Sequence, residues 1–180
     1  MKKKQLTNIV EILGKFKELK RTGWIMRKVS LPESDADHSF GVALLVMMFT
    51  PNQLNKQKCM ELALIHDLAE VYTGDFTPHD NITKEEKIAR EREGVLRLSE
   101  ELNWSELVDL VDEYNNQKTP EARFVGLIDK LETVLSAKYY DNNKRAPDIL
   151  INEFAEYAKR CAEEYPDEYL SKIKEMINSF

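Results

Sequence analysis

His66 and Asp67 adjoin inside the otherwise apolar stretch MELALIHDLAEVYTGD, where neither side chain has an obvious route to water. Neighbouring positions on a helix differ by about 100° in direction, so both can converge on an ion held in the angle between them, with Glu70 on the His66 face one turn later. Burying such groups unpaired costs several kcal/mol per ion, and metal coordination is one arrangement that offsets it. A lone His-Asp pair also reads as a hydrogen-bonded core histidine with a carboxylate partner. His38, in ADHSFGVALL, opens another apolar helix, and Asp129 lies in FVGLIDKLETVL. The residues sharing the Asp129 stripe, Ala122, Val125, Thr133 and Ser136, carry no charge. A carboxylate on such a stripe is a candidate for burial and, without a cationic partner, a candidate ligand. Taken singly, His38 also reads as a surface residue at a helix start and Asp129 as half of an ion pair.

The elements that must position these groups are helical. Leu6, Ile9, Val10, Leu13, Phe16 and Leu19 mark one face of a first helix ending near Lys20. Residues 21–32, with Gly23 and Pro32, read as an extended or looped connector. A second helix starts near Asp37 or His38, with Asp35 or Asp37 as its cap, and the apolar run over residues 42–49 predicts burial on most sides. The third spans residues 56–72 and stops at Gly74. GDFTPHDNI is a loop, and Thr83 with Glu86 forms a capping box for a charged helix over residues 84–102. Helices over 104–114, 121–140, 148–164 and 167–178 complete an all-α, single-domain helical bundle of residues 1–180.

Composition narrows the chemistry. A chain of 180 residues buries a sizeable core unaided. The formal net charge of −6 argues against tracking nucleic acid, despite the lysines near the N-terminus. The absence of an apolar run near the roughly 20 residues that span a bilayer argues against a membrane protein. Cytoplasmic localisation is expected. Cys59 and Cys161 lack paired zinc-ligand spacing and read as buried, unreactive thiols.

Together, His38, His66-Asp67 and Asp129 follow the order H, HD, D, and the chain resembles the HD-domain superfamily of metal-dependent phosphohydrolases. ESDADH and HDLAEVYTGD extend the resemblance; RTGWIMRKV, GDFTPHDNITKEEKIARE and LIDKLE are similar to the branch acting as 5'-deoxyribonucleotidases. That match covers residues 21–140; the C-terminal helices, 148–178, add nothing to it. The resemblance implies that His38, His66, Asp67 and Asp129 hold a divalent metal, Mn, Co, Fe, Ni or Zn by donor type. It implies catalytic roles for Glu70, on the attacking water, and Asp75, on the leaving 5' oxygen. Glu70, Asp75 and the carbonyl of Phe76 would suit a second cation such as Mg. Arg21, Trp24, Arg27, Lys84 and Lys87 are candidate substrate contacts, each with a structural alternative: core for Trp24, surface ion pairs or solvation for the others. His79 is not required as a ligand. The expected reaction is hydrolysis of 5'-(deoxy)nucleoside monophosphates, by a protein that is a candidate homodimer. Phosphodiester or pyrophosphate hydrolysis, and a noncatalytic metal-containing binding module, are the competing readings.

Overall fold

The computed structural model describes residues 3–75 and 83–180, apart from the side chains of Lys84, Glu85 and Lys87. Helices α1 (Lys3–Glu18), α2 (Thr22–Met26), α3 (Asp35–Phe49), α4 (Lys56–Ile65) and α5 (Glu70–Thr73) form the first half. Helices α6 (Lys84–Leu102), α7 (Leu107–Asn116), α8 (Pro120–Asn142), α9 (Ile151–Glu163) and α10 (Ser171–Asn178) follow, α10 preceded by a 3-10 turn at Glu168–Leu170. The described residues contain no strand, only an isolated bridge between Lys20 and Ser34. The all-α expectation is met.

The axis of the bundle is α8. Thr119 caps it by accepting from Ala122 N at 3.2 Å, and Pro120 occupies the first turn, where its missing N–H costs nothing. Phe124, Val125, Gly126, Leu127 and Ile128 are all buried, so this helix runs through the interior, packed by α3, α4, α7, α9 and α10. Burying each large apolar side chain stabilises by about 1.5–3 kcal/mol. A smaller core of Trp24, Val29, Ala137, Tyr140 and Leu150 sits at the far end of α8. Of the stripe expected on α1 only Phe16 is buried, whereas Leu6, Val10 and Leu13 are exposed; Ile12, outside that stripe, packs inward instead.

Three local expectations are corrected. Residues 22–26 form a helical turn rather than an extended connector, because Trp24 anchors them against Tyr140 and Phe154 at ring-centroid distances of 5.1 and 4.5 Å. Pro32 lies too far along the chain to restrict them. The cap of α3 is Ser34, not Asp35 or Asp37. Its hydroxyl accepts from Asp37 N at 3.1 Å while Asp37 Oδ2 accepts from Ser34 N at 2.9 Å, the reciprocal pair of a capping box. The helix expected over residues 56–72 is interrupted at residues 66–69. Glu70 N, Val71 N and Tyr72 N bond to carbonyls three residues back, at 3.0, 3.4 and 3.0 Å, so the chain tightens to a 3-10 rise before α5. The capping box at Thr83 and Glu86 and the positive-φ Gly74 (φ 76°) at the end of α5 are as expected.

Candidate metal centre and active site

Four chain segments deliver the centre. Ser34 starts α3 so that His38 falls one turn inside it, wholly buried; α4 ends at His66, with Asp67 in the tightened turn; α8 brings Asp129 through the core. Arg21 N donates to Glu33 O (3.3 Å) and Asp35 N to Leu19 O (3.0 Å), closing residues 21–33 into a loop whose base places the Arg21 side chain at the same point.

Each imidazole is oriented by its Nδ1. In His38 it faces Glu132 Oε2 at 2.6 Å, and in His66 it faces the Ala63 carbonyl at 2.9 Å. Both acceptors require Nδ1 to carry a hydrogen, which assigns each Nε2 a lone pair. The two Nε2 atoms lie 3.4 Å apart. Around them, Asp129 Oδ1 is 3.2 Å from His38 Nε2, and Asp67 Oδ2 is 3.2 Å from His66 Nε2 and 3.7 Å from His38 Nε2. Two bare lone pairs and two carboxylates converging on one buried point repel one another unless positive charge sits among them. These donors therefore fit a divalent metal. Without a metal, a second proton on His38 takes that place. Burial and the Arg21 guanidinium act to lower the His38 pKa, yet Asp129 and Glu132 outweigh them and raise it to about 10. Burial acts to raise the pKa of Asp67 and Asp129, but the surrounding cations hold both below the ordinary carboxylate range.

Several partners were not foreseen. Asp129 is not without a cation: Lys130 Nζ donates to its Oδ2 at 2.8 Å, and Tyr114 OH donates to the same oxygen at 3.2 Å, leaving Oδ1 toward His38. The uncharged stripe excluded partners one turn away but not the next residue. Glu132 was missed as well, although its place three residues after Asp129, on one helical face, was a usable signal. Its Oε1 accepts from Ser136 Oγ at 3.1 Å; Ser136 Oγ also lies 3.0 Å from Glu33 Oε2, and Glu33 takes the Trp24 Nε1 hydrogen at 2.7 Å. Nothing near Tyr114 in the sequence announced its contact.

Arg21 reaches the centre, donating from Nη1 to Asp67 Oδ2 at 3.0 Å. Trp24 and Arg27 do not join it. Trp24 is 1% exposed within the smaller core, and Arg27 pairs with Glu153 while donating to Gly23 O at 3.0 Å. Their structural alternatives are the ones realised. Phe76 and His79 lie outside the described residues, as do the side chains of Lys84 and Lys87.

Glu70 follows a turn with three-residue hydrogen bonds, in place of the α-helical spacing that would align it with His66. It joins Asp35 and Asp75, each of the three offering an oxygen within 4.8 Å of the others. Asp75 Oδ2 accepts from Thr22 N at 2.5 Å. Both oxygens of Asp35 and Oε2 of Glu70 are buried without a hydrogen-bond donor. Burial, followed by Asp67 and Asp75, pushes Glu70 well above the usual carboxylate pKa. Orphaned buried carboxylate oxygens are the donor chemistry of a hard cation, so this cluster fits a second ion.

Comparison with known proteins places this geometry in a lineage. The HD domain family model matches residues 13–168. A Xenopus laevis protein named 5'-deoxynucleotidase HDDC2 is 37% identical over 179 residues, 98% of this chain and 89% of that one. Its Homo sapiens counterpart is 39% identical over 147 residues, 80% of this chain and 72% of the relative. Among solved structures, a conserved hypothetical protein from Pyrococcus furiosus superposes with a TM-score of 0.81 at 27% identity, covering 97% of this chain and 99% of that one. With the H, HD, D order brought to one buried point on three core segments and a family match spanning most of its length, the chain belongs to the HD domain family.

Proposed function

We propose that this protein is a divalent-metal-dependent phosphohydrolase that removes phosphate from 5'-deoxynucleoside monophosphates, with His38, His66, Asp67 and Asp129 holding the metal. The observation that carries the reading is the convergence of two imidazole lone pairs and two carboxylates on one buried point, together with relatives named for that activity. A metal bound there, Mn, Co, Fe, Ni or Zn, would acidify a water and neutralise phosphoryl charge.

The residues supply the rest. Arg21 already touches Asp67 and presents a guanidinium fork suited to phosphate oxygens. Glu70 stands beside Asp67 with its pKa raised, the direction that suits a group receiving a proton from water. Asp75, tethered by Thr22 N, serves the leaving 5' oxygen. A second cation such as Mg would be seated by Glu70, Asp75 and the Phe76 carbonyl; with it bound, the two carboxylates serve as its ligands in place of the base and acid roles. Lys84 and Lys87 remain proposed phosphate contacts, whereas Trp24 acts by anchoring the loop that carries Arg21.

The whole of residues 1–180 is proposed as one HD domain, because α9 and α10 pack on α8. No helix of the described residues is long and apolar enough to cross a membrane. The test is phosphate release from a panel of nucleoside mono-, di- and cyclic phosphates, with and without added metals. Metal-dependent release confined to 5'-monophosphates, deoxy forms included, is expected; release only from diester or pyrophosphate substrates would replace this reading.

A further inference from the structure

Asp35 is wholly buried at the first turn of α3, its role as a cap is taken by Ser34, and neither of its carboxylate oxygens has a donor. A buried carboxylate in that state costs several kcal/mol unless something offsets it. Asp35 faces Glu70, whose Oε2 is likewise without a donor, and Asp75, whose Oδ2 is taken up by Thr22 N. Arg21, the guanidinium nearest in charge to all of them, is committed to Asp67 Oδ2.

We propose that Asp35 is a direct ligand of the second cation, so that Asp35, Glu70 and Asp75 form a three-carboxylate seat for a hard divalent ion, Mg2+ or Mn2+. The inference deepens the nucleotidase reading by naming the residue that fixes the second ion's affinity. Oxygen-only donors select small hard cations, whereas the imidazole pair suits borderline metals, so the two seats differ in preference. A third carboxylate also confers binding before any phosphate arrives, because it supplies a ligand that a phosphate oxygen would otherwise have to provide.

The experiment is a Mn2+ titration followed by electron paramagnetic resonance on the parent, Asp35→Asn and Asp67→Ala, with thermal melting in chelator and in Mn2+. The parent is expected to bind two Mn2+ per chain. Asp35→Asn should weaken one of them by roughly tenfold or more while leaving the other, and Asp67→Ala should do the reverse. In chelator, Asp35→Asn should melt at or above the parent, since an orphaned buried charge has been removed; in Mn2+ the order should invert, because the bound ion stabilises only the parent's third ligand. Two ions bound by Asp35→Asn with parental affinity, or no inversion of melting order, would overturn the proposal. A parent that binds both ions yet releases no phosphate would refute the nucleotidase reading and leave this one standing.

Discussion

At the scale of single residues, two oxygens of one carboxylate do different work. Asp129 gives Oδ2 to Lys130 and Tyr114 and keeps Oδ1 on the His38 side, so the proposed ligand is fixed in place while the atom that would face the ion stays free of those donors. Glu70 groups with Asp35 and Asp75 after the three-residue hydrogen bonds of its turn, still close enough to Asp67 for their charges to repel. Glu70→Ala should retain the metal at the histidine pair, lose the second cation and lower kcat by about 10²- to 10⁴-fold, with a smaller change in KM, since the side chain serves the attacking water, directly or as a ligand of that cation, rather than the bound phosphate. Metal content by elemental analysis alongside steady-state kinetics checks this. Unchanged turnover with the metal retained would reduce Glu70 to a buried structural carboxylate.

At the scale of elements, the contact between α3 and α8 orients His38. Glu132 takes the Nδ1 hydrogen of His38, and it fits because Gly41, three residues after His38 on α3, has no side chain: a Cβ there would lie 2.7 Å from Glu132 Oε1. Glu132→Gln should weaken metal binding by roughly 10- to 100-fold while the fold persists, since an amide can still accept the hydrogen but lacks the charge that strengthens the imidazole as a ligand. Gly41→Ala should act in the same direction and cost about 1–3 kcal/mol of stability through overpacking. Isothermal titration with Zn2+ and chemical denaturation read the two effects; a Gly41→Ala protein with parental metal affinity would separate the α3–α8 packing from the site.

The same scale shows what was legible beforehand. Helical periodicity, the Thr83 and Glu86 box and Gly74 marked most elements, because those signals are local and physical. The H, HD, D order marked the ligand candidates, because each type is costly to bury without a purpose. The break at residues 66–69 was not legible: no Gly or Pro announces it, and the apolar run continues across it. Reading through that break aligned Glu70 with His66 and hid the grouping with Asp35. Tyr114 and the closure of residues 21–33 depend on segments far apart in sequence, and neither leaves a local mark. Asp35 was read as a cap because aspartate suits that position, and only the packed fold shows Ser34 taking it.

For the whole molecule, burial is uneven around α3. His38, Ser39, Val42, Ala43 and Val46 pack inward, yet Phe40, Leu44, Met47 and Met48 form an apolar stripe on the opposite face, with Phe40 68% exposed. Apolar side chains contiguous on one helix and turned outward are the kind of surface that the homodimer expected from the family resemblance would cover. Light scattering should give twice the chain mass for the parent and one chain mass for a Phe40→Glu, Met48→Glu double variant; a parental monomer would retire the dimer. The bundle itself does not depend on it, because the core lies on the other side of α3 and around α8. The proposed ligands His38, His66 and Asp129 are buried on that core side, within one chain. The most direct test is phosphate release from a deoxynucleoside 5'-monophosphate by the metal-loaded parent and by Asp67→Ala prepared identically. Metal-dependent turnover by the parent is expected, and its loss, with the bound metal, in Asp67→Ala, whose helicity stays nearly intact. Equal metal content and equal turnover in the two proteins would contradict this expectation.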